Sequence, residues 1–162
     1  MSDLRLERVP ITHPDAQALI EAVQAEYVVR YGGQDESPID AADFEDPLGQ
    51  FYVGYLDDAP VATGAWRRSS VQALGAQVAA EVKRMYVVPA AQRRGVARRM
   101  LTHLEVTAAA EGIEAIVLET GMKQPEAIAL YTSSGYEPIP GFGHYRGSEL
   151  SRCFGRRIAP TG

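Results

Sequence analysis

The spacing of apolar residues changes from segment to segment along this chain, and each spacing names an element. Leu4, Leu6 and Val9 open a short strand. Thr12, Pro14 and Asp15 then supply helix-start chemistry before Ala16, Leu19, Ile20, Val23 and Tyr27, whose steps of three and four place them on one helix face. Gly32-Gly33 ends that helix, and the acidic stretch to Pro47 reads as an irregular or short-helical excursion. Phe51 to Leu56 and Val61 to Trp66 are two β-prone runs. The Asp57-Asp58-Ala59-Pro60 segment between them reads as a hairpin turn that lacks the glycine such turns prefer. A further strand runs from about Val78 to Val88. Strict alternation there would put Glu81, Lys83, Met85 and Val87 on one face and Val82, Arg84 and Tyr86 on the other. Both faces would then mix polar and apolar residues, which is unusual for a central strand.

Beyond Pro89 the chain passes through Gln92-Arg93-Arg94-Gly95-Val96-Ala97 into a helical stripe of Ala97, Met100, Leu101, Leu104 and Ala108, closed by Gly112. Ile113 to Leu118 is a buried-type strand. Pro125 suits a first helical turn, and Ala127, Ile128, Leu130 and Tyr131 continue a short helix ended by Gly135. Tyr136 to Ile139 and Arg152 to Ile158 read as two last strands joined by a Gly-rich loop. The order β-α-β-β-β-α-β-α-β-β implies a mixed sheet with helices on its faces. With 162 residues and no repeat or linker, residues 1–162 read as a single domain.

Composition narrows the function. At 46% hydrophobic and 23% charged residues the chain matches an ordinary globular protein. No apolar run approaches the ~20 residues of a membrane helix, and the charged start Met-Ser-Asp-Leu-Arg-Leu-Glu lacks a signal peptide's apolar stretch. A cytoplasmic protein without a membrane partner is the expectation. Cys153 is the single cysteine, so no intrachain disulfide or thiolate cluster can form. His13, His103 and His144 share no helix face and read as surface or loop residues, so no metal is expected. The net charge of -5 argues against a nucleic-acid-coating protein. Its distribution says more: acids crowd Asp35, Glu36, Asp40, Asp43, Glu45 and Asp46, whereas bases crowd Lys83, Arg84, Arg93, Arg94, Arg98 and Arg99. Each run reads most simply as a solvated face, yet two patches of opposite sign also suit a protein holding an anion and a cation at different places.

A helix start presents unpaired N–H groups and partial positive charge, so Arg93, Arg94 and Gly95 make a plausible phosphate cradle. Taken alone, an Arg-rich start is more readily a solvated terminus. It has neither the Lys-Ser/Thr ending of a P-loop nor the Gly-x-Gly-x-x-Gly of dinucleotide folds. In context, Gln92-x-x-Gly95-x-Ala97 after Met85-Tyr86-Val87-Val88-Pro89 resembles the coenzyme A signature of the GNAT N-acetyltransferase family. About thirty residues on, Ala127-Ile128-Ala129-Leu130-Tyr131 followed by Gly135-Tyr136 resembles that family's Ala-x-x-Leu-Tyr helix and Gly-aromatic pair. Two departures stand out: Gln124 occupies a position where the family often has Asn, and Ala97 replaces the commoner glycine.

The resemblance covers nearly the whole chain and implies an α/β (α+β) fold. Its sheet would be mixed, mostly antiparallel and twisted, with about six to seven strands and helices on both faces. It implies acetyl-CoA as cosubstrate, held by Met85, Tyr86, Val87, Gln92, Arg93, Arg94, Gly95, Val96, Ala97 and Gln124, with no metal. Acyl transfer from a thioester to an amine needs a neutral amine, a polarised carbonyl and a proton for the thiolate. On its own Glu81 reads as an exposed strand residue paired with Lys83 or Arg84; the resemblance makes it the base. Tyr131 reads equally as a core aromatic or as a phenol for the thiolate, and the resemblance favours the acid. Backbone amides near Val87 could polarise the carbonyl, provided strand pairing is interrupted there. Cys153 reads as a buried structural thiol, not a nucleophile.

The implied function is transfer of an acetyl group to a primary amine of a small molecule or protein, by direct attack in a ternary complex. The alternative is a non-catalytic acyl-CoA-binding or sensing module of the same fold, which needs neither Glu81 nor Tyr131. Nucleic acid as a partner would require aromatics interleaved with the arginines, and residues 93–99 contain none. The segment Asp35 to Asp46, the Gly141-Phe142-Gly143-His144-Tyr145 loop and Trp66 are candidates for the acceptor side. Pairing into a homodimer through the late strands is a further implication of the resemblance.

Overall fold

Each change of hydrophobic period becomes a change of element. In the computed structural model, which describes residues 3–33, 40–121, 125–142, 147 and 151–158, the chain begins with β1 (Leu4–Arg8), α1 (Pro14–Tyr31) and a 3₁₀ turn at Ala41–Phe44. Next come β2 (Gly49–Leu56), β3 (Ala59–Ser69), β4 (Ala79–Val87) and a second 3₁₀ turn at Pro89–Ala91. It ends with α2 (Val96–Ala110), β5 (Ala115–Gly121), α3 (Pro125–Ser133), β6 (Glu137–Pro138) and β7 (Ser151–Arg157). The strands form one seven-stranded sheet in the order β1-β2-β3-β4-β5-β7-β6. Every neighbouring pair is antiparallel except β4 with β5. The β2–β3 turn needs no glycine because Asp57 and Asp58 both take left-handed backbone, at φ 50° and 64°. That is the twist a two-residue hairpin demands, and short polar side chains tolerate it.

The two sheet faces carry separate cores. On one, α2 and α3 pack Met100, Leu101, Leu104 and Tyr131 against Trp66, Val82, Ile116 and Leu118. On the other, α1 sets Ala16 and Leu19 against Phe51, Val53, Tyr55 and Ala65, with Phe44 from the 3₁₀ turn closing the edge. Val117, Phe142 and Cys153 form a small third cluster. Truncating a residue such as the fully buried Leu104 to Ala should cost ~2–5 kcal/mol.

Several expectations are corrected here. Trp66 is a core residue, 1% exposed, whose indole N–H donates to Thr107 Oγ1 at 3.1 Å; it faces α2 and cannot line an acceptor site. The cap of α1 is His13, whose Nδ1 accepts from the Asp15 N–H at 3.1 Å, and not Thr12. His103 is a half-buried helix residue packed edge-on against Tyr52, with ring centroids 4.5 Å apart, and burial lowers its pKa. The late strand at Tyr136 to Ile139 shrinks to two residues.

The even alternation expected of β4 fails at Arg84. Ala65 faces Lys83 and Thr63 faces Tyr86, so β4 advances three residues while β3 advances two. Arg84 takes φ 56°, and its carbonyl accepts from Thr63 Oγ1 at 2.6 Å. This bulge switches the faces beyond it. Met85 and Val87 join Val82 on the α2 side, while Tyr86 packs with the α1 cluster.

Candidate active site

The site starts from a pairing that stops. Ala79, Ala80 and Glu81 pair with Ala115, Ile116 and Val117, after which β4 continues to Val87 and β5 to Gly121 with no further rung between them among the described residues. On its other side β4 stays paired with β3 as far as Val87. The result is a wedge in mid-sheet along which residues 83–87 have a strand neighbour on one side only. Near the end of α1, Arg30 lies 4.0 Å from Glu126 in the first turn of α3. The Tyr131 side chain is 5% exposed, edge-on to Tyr136 at 5.8 Å, and burial is the main cause that raises its phenol's pKa above the ordinary value. Burial, then a hydrogen bond to the Glu26 carboxylate, likewise pushes the Tyr86 phenol up.

At the far end of β4 the chain turns into α2. The Gln92 side-chain amide donates to the Val87 carbonyl at 3.0 Å and closes the loop. Arg93 takes φ 63°. Gly95, at φ 78°, is the N-cap of α2; no side chain caps this helix, and its first turn contains no acid. The bond from Arg99 N to Gly95 O, at 3.1 Å, begins the ladder. The N–H groups of Val96, Ala97 and Arg98 therefore have no turn beneath them. The Val96 side chain is buried in the core, so only its backbone can meet a ligand, whereas Arg93 and Arg94 are exposed. Arg98 instead ties α2 to α3 through Ser133 and Ser134 Oγ at 2.7 and 3.0 Å. Gln124 lies outside the described residues.

Glu81 closes the wedge where pairing ends. It is 8% exposed, and its Oε1 accepts from Arg67 Nε at 3.3 Å and Nη2 at 3.2 Å. Lys83 Nζ lies 3.9 Å from Oε2. The expected exposed residue paired with Lys83 or Arg84 is thus a buried one paired with Arg67 and Lys83. Arg67 also reaches Asp43 Oδ2 at 3.1 Å. The turn bearing Asp43 lies so close to β2 that a Cβ on Gly49 would strike the carbonyls of Asp43 and Trp66. Arg67 was not singled out from sequence. The available signal was the Arg67-Arg68 pair within a strand, because successive side chains face opposite sides and one of the two must enter a covered face.

The other candidates divide. Asp40 Oδ1 accepts from the Ala42 N–H at 3.0 Å, and Asp46 pairs with Arg8 at 2.8 Å, so both are engaged within the fold. Positions 34–39, His144 and Tyr145 lie outside the described residues, and Phe142 is buried beside Cys153. Cys153 is buried in β7, with Sγ 3.9 Å from the Phe142 carbonyl, and burial pushes its thiol up. Among the described residues no group of three or more His, Cys, Asp or Glu could hold a metal, and no helix is long and apolar enough to cross a membrane.

Comparison with known proteins adds a lineage. The model of the acetyltransferase (GNAT) family matches residues 16–136. An IAA acetyltransferase of Azospirillum brasilense is 44% identical over 71 residues, which are 44% of this chain and 46% of that protein, so the likeness spans less than half of either. A Klebsiella pneumoniae structure assigned as an acyl-CoA N-acyltransferase superposes with TM-score 0.77 at 24% identity, covering 96% of this chain and 97% of that one. The PaiA N-acetyltransferase of Thermoplasma acidophilum, solved with coenzyme A, superposes with TM-score 0.70 at 12% identity over 96% and 99%.

Proposed function

The chain belongs to the acetyltransferase (GNAT) family, and from that premise we propose that residues 1–162 are one domain moving an acetyl group from acetyl-CoA to a primary amine by direct attack. The observation that carries this reading is the wedge between β4 and β5, which leads from Glu81 to the uncapped start of α2. Backbone N–H groups at Gly95, Val96 and Ala97 hold the pyrophosphate of the cosubstrate, with Arg93 and Arg94 adding charge. When bound, acetyl-CoA supplies the acyl group as an activated thioester. Val88 N–H donates to Val61 of β3, so by alternation the backbone N–H groups of Met85 and Val87 turn away from β3 and polarise a carbonyl placed in the wedge. Glu81 takes the proton of the incoming ammonium, and Tyr131 Oη, a phenol whose pKa burial raises further, holds the proton needed by the departing sulfur. The acceptor is an amine of a small molecule or a protein.

A thiol-release assay with acetyl-CoA across a panel of amines tests the reading, run on the unmodified chain and on Glu81→Gln and Tyr131→Phe. Glu81→Gln should lose most below the amine's own pKa and recover at high pH, where the amine is already free. Tyr131→Phe should lose ~10²–10⁴-fold at every working pH, because the buried phenol does not titrate in that range. Profiles parallel to the unmodified chain with rates within about threefold would remove both residues from proton transfer. Coenzyme A binding without turnover across the panel would leave an acyl-CoA-holding module.

A further inference from the structure

Glu81 and Arg67 stand directly opposite each other on β4 and β3. Their side chains are 11% and 21% exposed, so the contact is largely shielded from water. The guanidinium aims two N–H groups at one oxygen, Oε1, from Nε at 3.3 Å and Nη2 at 3.2 Å. Nη1 engages Asp43 Oδ2 at 3.1 Å. Glu81 Oε2 faces Lys83 Nζ at 3.9 Å, an ionic neighbour beyond hydrogen-bond reach. A planar guanidinium fixed at both ends fixes the carboxylate it holds, whereas a lysine in its place would be a rotatable point charge.

On the reading of Glu81 as base, we propose that Arg67 is a positioning residue that occupies Oε1 so that Oε2 alone is presented to the acceptor's ammonium, directly or through water. Asp43 holds Arg67 from the other side. The 3₁₀ turn carrying Asp43 can lie there because Gly49 has no side chain. Asp43 thus acts on the reaction through Arg67, two contacts removed from the transferred proton.

A double-mutant cycle between Arg67 and Glu81 tests this, read as kcat in the thiol-release assay with coenzyme A affinity measured by calorimetry. Arg67→Gln should lower kcat by ~10–100-fold, with acceptor KM and coenzyme A affinity within about threefold. Arg67→Lys keeps the charge without the fork and should lose ~3–10-fold. In the Glu81→Gln background, Arg67→Gln should add no further loss, because the carboxylate it positions is gone. Losses that multiply, or an Arg67→Gln variant with undiminished kcat, would overturn the positioning role while a large Glu81→Gln loss kept the base. A silent Glu81→Gln would overturn both. If Arg67→Gln does not fold, Arg67→Lys completes the same cycle.

Discussion

The two long helices begin in opposite ways. α1 starts on a side-chain cap from His13, with proline in its first turn and Asp15 beside the positive end of the helix dipole; each feature stabilises a helix start. α2 starts on a left-handed glycine with no side-chain cap and no acid in its first turn. Four arginines flank that start, at 93, 94, 98 and 99. Positive charge there opposes the dipole by ~0.3–1 kcal/mol for each nearby group. One terminus is finished by its own sequence and the other has no side-chain cap, which on the proposed reading an anion from outside completes. Stability and binding should therefore separate under mutation.

The largest separation should come from Gly95→Asp, which brings negative charge and bulk to the cradle at a backbone φ of 78°. Coenzyme A affinity should fall ~100-fold, about 2.7 kcal/mol, and calorimetry showing unchanged affinity would reject this cradle. Next in size is Ala97→Glu, which gives α2 the first-turn acid that α1 already has. Thermal stability should rise by a few tenths of a kcal/mol while coenzyme A affinity falls ~10-fold. A variant that improved both would show that no anion is held there. The smallest effect should be His13→Ala, costing ~1 kcal/mol in chemical denaturation with coenzyme A affinity intact. A change in affinity on removing that distant cap would break the division between the helices.

Most of the element order was legible because period alone separates strand from helix, and the α2 start was legible because Gln92, Gly95 and Ala97 fall within one short stretch of sequence. What escaped depended on pairs of strands. The wedge is a property of where β4 and β5 stop pairing, and neither strand's composition marks that rung. Arg67 lies opposite Glu81 only in the β3–β4 register, which the long 70–78 connection hides. The bulge at Arg84 is a backbone event at an ordinary-looking residue, and missing it put Met85 and Val87 on the wrong face. Trp66 shows the same dependence on parity: it alternates with Arg67, so the register that sends Arg67 to the α1 side sends Trp66 to α2.

Seen as a problem of aggregation, residues 83–87 are an edge strand located inside a sheet. Outer edges are templates for pairing with other chains, and proteins blunt them with charge, bulges or cover. This inner edge carries two of them: Lys83 and Arg84 in its sequence, and the bulge at Arg84. Any ligand lying in the wedge adds a third protection. The opening proposed to admit the cosubstrate is thereby kept from admitting a neighbour's strand.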